Sequence, residues 1–303
     1  MPRVIHLKNQ LKVVLVLIII IFAVIIAVRF SVIFVQHLQD TVRGRVDIVA
    51  LWNDGNYTEV LAVTEQTLAR NPMDKTALAF SGFANYYLAI FSSEIELRQR
   101  YLSNAIFQLR RYLSLSSGRF KGEASYILAL AYYSSGPSFA NLVINYLQQA
   151  IAAGFERETM NEYFALAHSI LGQNEEALFY FSQINTAERT FLFYFNLAEA
   201  YAGTGQHNLS EQNFLRVINE ANNDHLIDRA RFRLGVLYLN SSRYPEAQQI
   251  FEAFLARHPT NADAFHYLGD VFWALGNQTR ARQLWREAIR FDHSKQTVLG
   301  HLL

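Results

Sequence analysis

From Val13 to Val28 every residue is apolar, and after Arg29 the apolar run resumes through "FSVIFV" to Val35. As a helix, residues 13–35 would span roughly 35 Å at about 1.5 Å per residue. A bilayer hydrocarbon core is roughly 30 Å thick. Beyond Asp40 the rhythm changes. Apolar residues recur three and four positions apart, as at Leu234, Leu237 and Tyr238, which is the spacing of amphipathic helices separated by short polar turns. The pattern predicts one membrane-spanning helix followed by an all-α array.

The array repeats itself. Set "FRLGVLYLNSSRYPEAQQIFEAFL" against "FHYLGDVFWALGNQTRARQLWREAI" and Leu234 falls on Leu268, Gly235 on Gly269 and Tyr238 on Phe272. Ala247 then falls on Ala281 and Phe251 on Trp285, each pair 34 residues apart. A fixed period in this range marks a stack of helical pairs. The small residues let neighbouring helices approach and the large aromatics fill the space between units. One pair cannot bury its apolar face alone, so neighbours must stack.

At these residues the chain resembles the tetratricopeptide repeat family: a leucine and a small residue, an aromatic three further on, an alanine nine later and an aromatic four beyond it. Pro259 closes one copy, and His293 stands where proline would close the last. Earlier copies run through Leu197, Ala198, Tyr201, Gly205 and Phe214, followed by a slightly longer connection "NEANNDHL", then Phe164, Ala165, Gly172, Ala177 and Phe181, then Leu128, Ala129, Tyr132, Gly136 and Ala150. Around Pro72, Ala77 and Gly82 the register admits a second fit through Phe83, Ala84 and Tyr87, with an insertion "SSEIELRQR" before a second helix near Ala105 to Tyr112. The resemblance implies a solenoid of about seven helix-turn-helix units. The expected organisation is a basic flank at 1–12, a transmembrane helix at 13–35, the solenoid at 40–295 and a short C-terminal cap segment at 296–303.

Composition narrows the function. The chain has 303 residues, 51% of them hydrophobic, with 14 glycines, 5 prolines and no cysteine. Without cysteine there is no disulfide framework, thiolate zinc site or cysteine nucleophile. Four of the 27 basic residues, Arg3, Lys8, Lys12 and Arg29, precede Asp40, and none of the 26 acidic residues does. The rest is therefore slightly acidic, which argues against nucleic acid as a partner. The basic flank favours a cytoplasmic N-terminus. A cleaved signal peptide would have an apolar core of only about 7–15 residues, and a cut after Ala27 would put Ile25 where a small side chain is preferred. Arg29 lies near the span's end and can reach the headgroups. The expectation is a single-pass protein of a bacterial inner membrane with its array in the periplasm.

No constellation of catalytic groups emerges, and the reading is non-enzymatic, with no cofactor, metal or small-molecule substrate. His168 occupies a core position of its repeat, and "GTGQ" at 203–206 lacks the lysine and preceding strand of a phosphate loop. In stacked arrays of this kind the first helix of each unit lines a hollow face. Tyr126, Leu130, Tyr133, Phe195, Glu199, Arg229, Phe232, Arg233, His266, Asp270 and Trp273 lie on first helices off the core stripe. Aromatics among scattered charges suit a protein or peptide partner anchored by apolar contacts. Only five lysines exist, none on the first helices of the clearest repeats. That disfavours the carboxylate-holding mode of chaperone-tail relatives. The expected function is a tethering scaffold for an envelope machine: a translocon, a secretion system, cell-wall synthesis or a flagellar motor collar. The alternative is a cytoplasm-facing membrane adaptor or ancillary chaperone.

Overall fold

The computed structural model describes residues 47–115, 118–185 and 189–299. The expected membrane helix, with Val13, Val28, Arg29 and Val35, lies outside them. Among the described residues, no helix is long and apolar enough to cross a membrane.

The described residues form seven helical hairpins: α1 Ile48–Asn53 with α2 Tyr57–Arg70, α3 Lys75–Phe91 with α4 Ile95–Leu113, α5 Lys121–Ser135 with α6 Ala140–Ala152, α7 Met160–Ile170 with α8 Asn174–Ser182, α9 Phe191–Gly203 with α10 His207–Glu220, α11 Asp224–Asn240 with α12 Tyr244–Arg257, and α13 Ala262–Ala274 with α14 Gln278–Phe291. A short α15, Gln296–Leu299, follows. Each hairpin packs on the next, and successive first helices also touch one another. The result is an all-α, tetratricopeptide-like solenoid.

Local chemistry sets the helix limits. Asp74, Thr190, Asn223 and Asn261 each accept a backbone N–H two or three residues into the first helix that follows, satisfying donors that a helix start leaves open. Asn56 and Asn277 do the same for α2 and α14. The turn inside most hairpins needs one left-handed residue. Gly55, Gly172, Gly205 and Gly276 supply it with φ of 71–83°, and in the sixth unit Ser242 does so at φ 58°.

The small-against-large packing is as the repeat predicts. A side chain at Gly235 would strike Ile250 and Phe251, and one at Gly269 would strike Trp285. Ala247 and Ala281 are fully buried, as is Phe251, and Trp285 is 1% exposed. Gly82 sits against Leu109 in the same way, which decides the register of the second unit. Ser81 and Asn85 then hold core places taken elsewhere by leucine and an aromatic, and Asn85 donates to the Ser81 carbonyl at 2.8 Å.

Two length expectations need correction. The "insertion" after α3 is helical: α3 runs to Phe91 and α4 already begins at Ile95, so the extra residues lengthen both helices into a protruding tip. Phe91 is 72% exposed there, and Ile90 and Ile95 are exposed beside it. Likewise the connection before the sixth unit is only 221–223, because Asn219 and Glu220 end α10 and the residues from Asp224 begin α11. In both places the helical period continues through residues whose polarity suggested a loop.

Candidate partner-binding groove

The first helices from α5 to α13 line a groove of about 820 Å³. Its wall is built from columns of residues one repeat apart. Phe195 on α9 and Arg229 on α11 form one column, and the guanidinium lies over the ring at 4.5 Å. Glu199 and Arg233 form another, and Arg233 donates to both carboxylate oxygens, through Nε at 2.6 Å and through Nη2. These hydrogen bonds raise the Arg233 pKa above its ordinary value. A third cluster centres on Asp228, which receives Arg257 Nη1 at 2.5 Å and lies 2.9 Å from His258 Nε2 and 3.3 Å from Arg231 Nη1. Between these charges lie apolar groups, Leu166, Ile170, Leu192, Phe232 and Phe254. Phe232 meets Phe254 edge-on at 5.3 Å and Tyr267 at 5.6 Å.

The structure brings Tyr133, Phe195, Glu199, Arg229, Phe232 and Arg233 to this groove. Phe195 is nevertheless a correction as an anchor. It is 4% exposed, its ring packs edge-on against Phe214 at 5.7 Å and Arg229 covers one face. It supports the wall and offers little of its own surface. Leu130 is also buried in the core.

Tyr126 faces a second hollow nearer the N-terminus, of about 520 Å³. His266, Asp270 and Trp273 are not among the residues lining the groove. Asp270 accepts the Trp285 indole N–H at 3.0 Å and lies 3.4 Å from His266 Nε2. It therefore ties α13 to α14. Burial raises its carboxyl pKa, against the lowering influence of His266 and Trp285. Trp273 is 40% exposed and lies against Trp285 with ring centres 5.5 Å apart. Its place is the C-terminal end of the array, outside the groove.

Spacing along the chain does not bring Asp228 and His258 together at the groove. Stepping the groove residues by one repeat would have exposed the columns. Asp228 joins residues from two helices of one unit, a contact that periodicity along the chain does not contain. His168 is half-buried as expected of a packed histidine, stacked on Tyr180 and 2.7 Å from Gln173 Oε1. Among the described residues no group of three histidine or carboxylate side chains is placed to hold a metal ion.

A helical-repeat solenoid with a lined inner groove is thus the class that fold and site define. Residues 192–224 and 232–294 match tetratricopeptide repeat models. Two similar solved structures are the C-terminal part of a TPR repeat-containing protein from Cytophaga hutchinsonii and a tetratricopeptide repeat protein from Parabacteroides merdae. The first has TM-score 0.52 and 15% identity, covering 84% of this chain and 98% of that one. The second has TM-score 0.51 and 17% identity, covering 84% and 94%. The Cut9–Hcn1 hetero-tetramer of the APC/C is similar at TM-score 0.51 and 13% identity over 87% of this chain and 57% of that one. A search of curated proteins finds no match.

Proposed function

We propose that this chain is a membrane-tethered scaffold that binds a protein or peptide partner along its concave face. The observation that carries the binding role is the groove itself. Apolar surface alternates with charges already held in fixed geometry by Glu199–Arg233 and the Asp228 cluster. Pre-formed charge pairs orient a partner, and apolar surface between them supplies contact area. Replacing Asn196, which lines the groove, by tryptophan would obstruct it at its middle. The full chain should capture its partner from membranes, Asn196→Trp should not, and Phe179→Ala on the exposed face of α8 should behave as wild type. Undiminished capture by the obstructed variant would remove the groove as the site.

The tether is read from the apolar residues 13–35 and the basic flank before them. The proposed setting is a bacterial inner membrane with the array in the periplasm, where fixing the solenoid raises the local concentration of an envelope-associated partner. Protease added to spheroplasts should then degrade the array. An array spared until the membrane is lysed would instead make the protein a cytoplasm-facing adaptor.

A further inference from the structure

The concave face ahead of the charged groove has a different chemistry. The hollow at α1, α3 and α5 has a floor of buried Phe80, Phe83 and Ile127. Trp52 forms one wall, 5.4 Å from Tyr87 in an edge arrangement, and Tyr126 and Phe155 form another at 5.4 Å from each other. From this hollow a line of phenols leads towards the groove. Tyr126 lines the hollow together with Tyr87, and its hydroxyl is 2.9 Å from Thr159 Oγ1, one helical turn ahead of Tyr163. Tyr163 in turn meets Tyr133 at 5.2 Å, and Tyr133 is already part of the groove wall. Four half-buried tyrosines from three successive first helices therefore join the two concavities. Burial raises the Tyr87 and Tyr133 pKa values and pushes Tyr163 up to about 12. These phenols remain protonated, and so remain donors, throughout the physiological range. Among the described residues the formal charges nearest the track are Glu123 and Arg157 at the hollow, Arg119 against the Phe120 ring that lines it, and Glu162 beside Tyr163 and Tyr133.

That surface selects among ligands. An acidic or a basic segment would meet as many carboxylates as guanidiniums, two of each, and gain no net attraction. An α-helix satisfies its own carbonyls and would leave the phenol donors unused. A polyproline II chain makes no internal hydrogen bonds, presents every carbonyl outward and lays flat rings on aromatic faces. It is also extended before binding, so it loses less conformational freedom than a flexible chain. We propose that the track through Tyr87, Tyr126, Tyr163 and Tyr133 docks an uncharged, proline-rich segment of the partner in the polyproline II conformation. This rests on the reading of the concave face as the partner site. It names the chemistry of one stretch of that partner.

The test uses the full-length chain in detergent micelles and three probes: a blocked polyproline decapeptide, an amphipathic helical peptide of similar length and a neutral oligosaccharide. Such a decapeptide extends roughly 30 Å. The decapeptide is expected to bind, and to bind at least tenfold more weakly to a Tyr87→Phe, Tyr163→Phe double variant, which keeps both rings and removes two donors. Trp52→Ala is expected to weaken it as well. Circular dichroism of each variant separates lost binding from lost folding. Three results would overturn the proposal: no decapeptide binding at millimolar concentration, affinity indifferent to the double variant, or preferential binding of the helical peptide or the oligosaccharide. If Asn196→Trp still abolishes partner capture while the decapeptide fails, only the proline-rich assignment is lost. If captured partners are indifferent to the obstructed groove, the broader reading fails first.

Discussion

At the scale of single residues the last repeat is the most informative. Gly269 has no room for a side chain because the Trp285 indole occupies the space. Gly269→Leu should force α13 and α14 apart and cost about 1–3 kcal/mol. Hydrogen exchange should show the loss confined to those two helices, and a uniform loss along the chain would contradict the local packing. Asp270 adds a pH term. Its carboxyl pKa is raised by burial, so the folded state holds the proton more tightly than the unfolded chain does. Stability therefore falls as pH rises from the unfolded towards the folded pKa, and the penalty is complete above it. Asp270→Asn keeps an acceptor for Trp285 without the charge. It should raise the melting temperature at neutral pH, and the gain should shrink as pH falls into the ordinary carboxylate range. Ser242 is the third case. A non-glycine residue in the left-handed region is strained, and four of the other hairpin turns place glycine there. Ser242→Gly should stabilise by about 1 kcal/mol in a denaturant titration, and no change would mean that the turn relaxes around serine.

At the scale of elements the question is what sets one unit against the next. The buried face of each hairpin supplies most of the adhesion, and the columns on the inner face add direction. Glu199 and Arg233 are the same position in neighbouring units, so their paired hydrogen bonds bridge α9 and α11. Both side chains remain partly exposed, and solvent screening keeps such a pair modest. A double-mutant cycle with alanine at both positions should return a coupling of about 0.5–1 kcal/mol that declines in salt. A coupling of zero would leave the two helices aligned by apolar contact alone. Trp273 also belongs to this scale. Its contact with Trp285 makes it a seal on the final pair, so Trp273→Ala should lower stability by about 0.5–1.5 kcal/mol with partner capture unchanged.

Over the whole molecule the described core is not evenly continuous. One large cluster runs through the first four units and another through the last three. Between them lies a smaller group around Ala165, Phe181 and Phe193. Phe181 is 1% exposed and meets Phe193 edge-on at 5.3 Å. In a stacked array stability is a sum of unit and interface contributions, so weakening one seam should divide the molecule. Phe181→Ala should cost about 3–5 kcal/mol locally and split a single thermal transition into two. Retention of one sharp transition would show that the small cluster does not couple the halves.

What the sequence determined by itself was whatever periodicity can carry. The 34-residue spacing of Gly235 with Gly269 and of Phe251 with Trp285 specifies helical pairs, their order and their small-against-large packing, because each unit repeats the same local steric problem. The same spacing located Glu199, Arg229 and Arg233 on the inner face. It could not say whether an off-stripe aromatic is covered. By spacing Phe195 and Asp270 read as surface groups, yet Phe214, Arg229 and Trp285 from other helices close over them or bind them. Nor could it show that polar residues after Phe91 extend a helix, or that phenols at 87, 126, 163 and 133 come together. These outcomes depend on contacts between residues far apart in the chain, which only the stacking angle of successive hairpins decides.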